Sequence, residues 1–432
     1  MRHALFVVFH YPPEASSSGV LRTLKYSRYL ADYGWRVSVI APQIDAYSVT
    51  DEALENQVPP TTRVIRTRFL NTKRHLSIRG VYPSLLALPD SWIGWLPWAV
   101  KRGYTLLRED PVDLIYSTSP HATAHLIAWR LANACGKPWV TDFRDPWVED
   151  PPEPGTPDYW LYRTLNRWLE KRVVSDSHAV VTSTTHLRDL LQARYPSEGS
   201  GKFQTIFNGY DEADFSSLPA AGPTPSDHFV MLHAGSINKA FRDPQPLLRA
   251  LHACGRAGTV DLQRTKLRFL GPGPFAEGPE LKEEIDRLGL RNVVEFLPRV
   301  PYSESIEALA RADTLVLLQA SPDTVGLVPA KLYEYLRAQK PVLALVPQGA
   351  TGEVLAMTGG GWSIPPEDHK RLENALSTMF RRWTEGRLAE DRADLSILRR
   401  FDRKALTGQL AALFDRLAAS DAASEIPTQR AG

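Results

Sequence analysis

At 432 residues, with 43% hydrophobic and 23% charged side chains, the chain has the length for two cores and the composition of a soluble globular protein. A formal charge of +2 argues against a bulk nucleic-acid binder, and Cys135 and Cys254, far apart and outside any paired motif, argue against a disulfide scaffold or structural zinc and favour a reducing compartment. No apolar run approaches the roughly 20 residues that span a bilayer, and the N-terminus reads as a first strand rather than a signal peptide.

Leu5–Phe9 is a short apolar run, as in a parallel strand buried on both faces. A loop over residues 10–19 follows, ending in Ser17-Ser18-Gly19. A helix beginning near Val20 stops at Gly34, and Val37–Ile40 is the next strand. This spacing predicts a doubly wound unit, in which ligands sit at the carboxyl ends of strands, so residues 10–19 belong at a cleft. Residues 56–89 contain no acid but carry Arg63, Arg66, Arg68, Lys73, Arg74 and Arg79; Tyr82, Leu85, Leu86, Trp92, Trp95 and Trp98 come next. Basic residues followed by tryptophans suit a membrane interface. The plain alternative is a solvated loop leading into a packed helix. Asp113 opens a strand, with His121 just past its carboxyl end as a cleft residue or a cap for the helix 122–134. The next strand runs into Asp142, Phe143, Arg144, Asp145, Pro146 and Trp147. Asp142 and Asp145 are candidate ligand contacts, and Arg144 can pair with either or with phosphate. Alternatively Asp145-Pro146 opens a helix and Arg144 belongs to a structural ion pair. A helix over 159–174, a strand from Ala179 and a last strand Phe203–Phe207 complete this half.

Residues 217–227 have the composition of a linker. The pattern then restarts: a strand from Phe229, a loop at Gly235 carrying Lys239 and Arg242, and a helix opened by Asp243-Pro244. Leu267 begins a strand ending in a Gly-Pro-Gly loop, Pro279–Leu288 is a helix, Val293–Leu297 a strand, and Tyr302 starts a helix with a loose capping box. Leu315–Leu318, the loop from Ala320, a helix from Pro329 and Val342–Val346 form a strand–loop–helix–strand unit. Asp323 or Thr324 can cap it, and Gly326 lets backbone approach a ligand. The N–H groups of Gly326, Leu327 and Val328 then form a phosphate site. Lys331 lies one turn further, and Glu334 follows at about 9–12 Å along the axis, near the span from a diphosphate to a ribose. Leu406, Leu410, Leu413 and Leu417 mark a last helix, and residues 420–432 read as disordered.

The 320–346 stretch resembles the donor-binding helix of GT-B glycosyltransferases, especially retaining family 4. The family pattern is Glu, seven residues, Glu. Glu334 matches the second, which holds ribose, whereas Gly326 stands at the first, so the donor sugar stays open. The Asp142–Trp147 segment is similar to one recurring in a bacterial branch of that family. Such a resemblance implies an α/β fold of two Rossmann-like domains facing a cleft: 1–208 on the acceptor side, 209–398 on the nucleotide-sugar side, and a helix over 399–419 returning to the first domain. It implies transfer from a nucleoside-diphosphate sugar to a lipid-linked or saccharide acceptor, with retention, no metal and no cofactor. Lys239, Arg242 and Lys331 would hold the diphosphate, Gly19 and Gly235 would admit it, and His121 with the 142–145 loop would line the catalytic, acceptor side. The expected place is the cytoplasm, peripheral on the inner face of the membrane, with no nucleic-acid partner. A sugar-nucleotide epimerase of the same fold and a non-catalytic nucleotide-sugar binder are the alternatives.

Overall fold

A computed structural model describes residues 1–17, 19–77, 82, 84–148, 159–216, 227–319, 321 and 324–424. The expected linker, Asp227 apart, lies outside them, as do Ser18, Arg79, Asp323 and the last eight residues. The chain divides into two compact units: Met1–Phe207 with the segment from Arg403 onward, and Asn208–Asp402.

In the first unit, seven strands of the described residues form a parallel sheet: β1 (Arg2–Val7), β2 (Trp35–Pro42), β3 (Arg63–Thr67), β4 (Leu114–Thr118), β5 (Trp139–Phe143), β6 (Ala179–Thr182) and β7 (Phe203–Thr205), ordered β3-β2-β1-β4-β5-β6-β7. The helices are α1 (Gly19–Tyr29), the single turns α2 (Glu52–Glu55) and α3 (Thr72–His75), α4 (Leu96–Glu109), α5 (Ala122–Cys135), α6 (Tyr159–Asp176) and α7 (Thr185–Arg194). The inner strands β1, β2, β4, β5 and β6 are buried on both faces because helices cover both, whereas the edge strands β3 and β7 are partly exposed. Leu5, Val7 and Ile115 pack under Trp95, Ala128, Leu131, Val174 and Leu191. Ala4, Phe6, Val37 and Tyr116 face Tyr26 and Leu30 on the other side. Side chains buried this fully each contribute about 1.5–3 kcal/mol.

The second unit repeats the plan with β8 (Phe229–Ala234), β9 (Thr265–Leu270), β10 (Val294–Leu297), β11 (Thr314–Leu318), β12 (Val342–Leu345) and β13 (Gly361–Ile364), ordered β10-β9-β8-β11-β12-β13. Its helices are α8 (Gln245–Arg256), α9 (Pro279–Arg287), α10 (Tyr302–Arg311), α11 (Ala330–Arg337), α12 (Ala350–Thr358), α13 (His369–Thr384) and the short α14 (Leu395–Leu398). The capping box expected at the start of α10 does not form, since Pro301 is its N-cap.

The last helix, α15 (Arg403–Ser424), packs Leu406, Leu410, Leu413 and Phe414 against the α1 face of the first unit. It runs five residues, 420–424, into the tail expected to be disordered, where Lys137 pairs with Asp421 at 3.0 Å.

Of the expected membrane-facing tryptophans, Trp95 is fully buried and Trp92 stacks on Phe9. Trp98, Tyr104, Leu76 and Leu86 remain at the surface. No helix of the described residues is long and apolar enough to cross a membrane.

Candidate active site

In both sheets the strand order reverses beside the first strand of the unit, between β1 and β4 and between β8 and β11. That reversal opens a crevice at the carboxyl ends of those strands. The expected site residues follow these strands and their neighbours, in one cluster within each unit.

In the first unit, His121 occupies the N-cap position of α5 but makes no side-chain cap. Asp90 does that work: its carboxylate accepts from the Thr123 amide at 2.8 Å and the Thr123 hydroxyl at 2.9 Å. His121 instead stacks on His10, with ring centroids 5.4 Å apart, and meets Phe9 at 4.2 Å and Trp92 at 5.9 Å edge-on. Burial, then the neighbouring His10 and Arg144, push His121 down to about 3, so it is neutral at physiological pH.

The 142–147 segment reads differently in three dimensions. Asp142 is fully buried and accepts from Arg22 Nε at 2.8 Å, Arg22 Nη2 at 2.9 Å, Thr118 Oγ1 at 3.1 Å and the Tyr116 hydroxyl. Burial opposes its charge, but Arg22 outweighs it and holds the carboxyl below its usual range. The expectation that Asp142 contacts an acceptor therefore gives way to a structural ion pair that also ties β4 and β5 to α1. His125 stacks on Phe143 at 4.9 Å and on Trp147 at 6.2 Å, and Trp147 Nε1 donates to Asn166 at 2.8 Å. Much of the motif is thus packing, and residues 144–148 form bends rather than the start of a helix.

Arg144 is half-buried, with its amide on Ser119 Oγ at 2.8 Å. Its guanidinium lies against Gly19, where a Cβ would meet Nη1 at 1.7 Å. Gly19 thus serves to admit Arg144. Asp145, beside it, is half-buried.

In the second unit, Gly235 follows β8 with φ +114°, in the region that favours glycine, and a Cβ there would stand 2.6 Å from Lys331 Nζ. Lys331, reaching back from α11, donates to the Ala234 carbonyl at 2.6 Å. Burial, then Arg242, lower it to about 8, while Glu334 works the other way. Arg242 donates to Ser236 Oγ at 3.2 Å, across a turn closed by Asn238–Arg242 backbone bonds of 3.2 and 3.0 Å. Beneath them His233 is fully buried, with Nδ1 at 2.9 Å from the Val316 carbonyl. Burial, then Lys331 and Arg242, push it down to about 3.

The expected basic pair is therefore rearranged. Arg242 and Lys331 converge on the Gly235 turn, whereas Lys239 extends into solvent and pairs with Glu280 of α9 at 2.5 Å. The amide cradle is smaller than expected: α11 begins at Ala330 after Pro329, and the Leu327 amide already donates to the Thr324 carbonyl at 3.0 Å. Val328 is buried, and Gly326 lies in the turn before the helix. Glu334 is half-buried one turn beyond Lys331 and accepts from the Tyr302 hydroxyl at 3.0 Å.

Sequence reasoning missed His10, Glu14, Arg22, His233 and Tyr302. The buried salt bridge at Arg22 leaves no local signal. Glu14, an acid among prolines and serines in a cleft loop, was open to notice.

Residues 19–200 match the family described as Glycosyl transferase 4-like domain, and residues 215–395 match Glycosyl transferases group 1. A curated relative, "Probable glycosyltransferase WbjE" of Pseudomonas aeruginosa, is 31% identical over 122 residues, which are 27% of this chain and 29% of that protein. Among solved structures, sucrose-phosphate synthase from Thermosynechococcus elongatus superposes with a TM-score of 0.68 at 16% identity, over 97% of this chain and 100% of that one. Anabaena HepE in complex with UDP gives 0.66 at 18% identity, over 96% and 100%. With the doubly wound units and the cation-flanked glycine turn, these matches establish that the chain belongs to the GT-B glycosyltransferases, in the family-4-like group.

Proposed function

We propose that this glycosyltransferase moves a sugar from a nucleoside-diphosphate sugar to a lipid-linked or saccharide acceptor at the cytoplasmic face of a membrane, with retention and without a metal ion. The convergence of Lys331 and Arg242 on Gly235 carries this reading. Two cations beside a turn with no Cβ suit a diphosphate, and they stabilise the negative charge that grows on it as it leaves. Glu334, further along α11, suits a ribose diol. Anabaena HepE, solved in complex with UDP and with UDP-glucose, supports the same donor class. On the other unit His121, Arg144 and Asp145 are assigned to the acceptor side; a neutral imidazole can bond a sugar hydroxyl as donor or acceptor.

The membrane reading rests on charge. From residue 56 to residue 108 the sole acid is Asp90, which caps α5, while Lys73, Arg74, Lys101 and Arg108 lie exposed near Leu76, Leu86, Trp98 and Tyr104 in the sequence. Exposed cations interleaved with apolar and aromatic side chains suit anionic headgroups.

The deciding experiment incubates the protein with UDP-hexoses and a lipid extract from cells lacking the gene, and reads products by mass spectrometry. A lipid heavier by one hexose, with UDP released, is expected. Epimerised donor without transfer, or bound donor without turnover, would replace this reading with an epimerase or a binding protein.

A further inference from the structure

Tryptophan is highly buried on average, yet α6 carries two at its surface: Trp160 is 76% exposed and Trp168 56%. Helical spacing brings them together. Positions 160, 164, 168 and 171 recur every three or four residues and lie on one stripe, which Leu161, Arg167 and Arg172 widen. All of these residues are exposed, and none is an acid.

The opposite stripe fixes which way the helix faces. Asn166 and Glu170 are buried there, beside Val173 and Val174 of the core. Asn166 accepts from Trp147. Glu170 accepts from Arg194 Nη1 and the Tyr195 hydroxyl at 2.6 Å each, and from the Val148 amide at 3.1 Å. Rolling α6 to hide its tryptophans would break the bonds of a buried carboxylate, which is costly.

The face continues onto the neighbouring helices, since α5 packs between α4 and α6. Trp129 of α5 donates through Nε1 to Asp176 at 2.9 Å, and the Arg130 and Arg172 guanidiniums lie over its ring at 5.5 and 6.0 Å. The Tyr162 hydroxyl donates to the Pro89 carbonyl at 2.8 Å, tying α6 to the segment that leads into α4, where Trp98, Lys101 and Tyr104 are exposed. The acids on these three helices are already bonded: Glu109 to Arg63, Asp176 to Trp129, and Glu170 as above.

We propose that the outer face of α6, continued by α5 and α4, is the surface through which the first unit docks on an anionic lipid bilayer. This deepens the membrane reading above and rests on it. Indole rings settle at headgroup depth, while Lys and Arg stems reach past them to lipid phosphates. A second copy of the chain fits the face less well, because a two-fold contact would set Lys171 and Arg172 among like charges. The topology gives the docking a use. Trp95, just before α4, bonds Thr67 at the carboxyl end of β3, and α6 likewise follows the carboxyl end of β5. Trp98 and Trp160, near the starts of those helices, therefore stand at the same end of the unit as the β1/β4 crevice, where a bilayer would present a lipid headgroup.

The test mixes the full chain with vesicles of phosphatidylglycerol or of phosphatidylcholine and reads bound protein by co-sedimentation. Wild type is expected on phosphatidylglycerol at low salt and to leave as salt shortens the range of the attraction. Seating half of an indole in the interface is worth about tenfold, so Trp160→Ser with Trp168→Ser should lower partitioning by about a hundredfold. A cation near the surface is worth about fivefold, so Lys171→Gln with Arg172→Gln should lower it by about twentyfold. Both variants should keep the wild-type melting midpoint and UDP affinity, which separates lost docking from lost folding. Brominated lipid gives a reading on wild type alone: quenched tryptophan emission supports the proposal, and emission that is not quenched in the bound protein refutes it. If wild type binds vesicles and both double variants bind equally well, the α6 face is wrong while the membrane reading stands. If wild type ignores anionic vesicles at low salt, both fall. A wild-type dimer that the tryptophan variant dissolves, seen by light scattering with vesicle binding unchanged, would give the face to a second copy instead.

Discussion

Replacing Asp142 by Asn separates a structural role from a chemical one. The carboxylate is fully buried and is the counter-ion of a buried guanidinium, Arg22, which also donates to the Phe207 and Ile206 carbonyls at 2.9 Å each. An amide keeps the shape but removes the charge and replaces an acceptor oxygen with a donor NH₂ facing Arg22, Tyr116 or Thr118. Breaking one partner out of a buried ion pair costs about 3–5 kcal/mol. For a unit of this size each kcal/mol moves the midpoint by about 2–4 °C, so the first unit should melt about 6–20 °C lower. Differential scanning calorimetry reads this directly. The pH dependence carries a sign. The folded-state carboxyl sits below its ordinary value, so its contribution is fully present above the unfolded pKa and is lost as pH falls through the folded one. The gap between wild type and Asp142→Asn should therefore be constant near neutrality and close in acid. An Asp142→Asn protein with an unshifted midpoint but no transfer would refute the argument and return Asp142 to the acceptor.

Three further outcomes are expected. Glu334→Ala should weaken UDP binding, read by calorimetric titration, by about ten- to a hundredfold, the worth of a charged hydrogen bond; unchanged affinity would remove the ribose role. Lys331 binds an anion only when protonated, so UDP affinity should be flat below about pH 8 and fall by up to about tenfold per unit above it, a decline that Lys331→Met should abolish. Gly19→Ala places a Cβ 1.7 Å from Arg144 Nη1, so the guanidinium must be expelled, and kcat should drop while calorimetric donor affinity holds.

The architecture was legible because parallel strands covered on both faces become continuous apolar runs, and Leu5–Phe9, Leu315–Leu318 and Val342–Val346 are such runs. Lys331 and Glu334 were legible because helical spacing sets their separation whatever surrounds them. Partner choice was not. Asp142 is claimed by Arg22, 120 residues away in sequence, and Lys239 is drawn off by Glu280, 41 residues on. His121 was readable as a residue past a strand end, but its freedom from capping depends on Asp90, which reaches the start of α5 from a distant loop. The tryptophans at 92 and 95 show the same limit: Trp95 donates to Thr67 at 2.7 Å inside the core, a contact no local pattern encodes.

The placement of α15 bears on synthesis. The second unit is an uninterrupted segment, whereas the first closes only when Arg403–Ser424 arrives to cover Phe6, Trp35 and Tyr116 and to set Asp415 beside Trp35 at 3.0 Å. As the chain leaves the ribosome, the later lobe can mature while the earlier one still exposes an apolar flank. The aggregation-prone interval thus spans nearly the whole of translation, and a nascent-chain chaperone has most to guard on the half that emerges first.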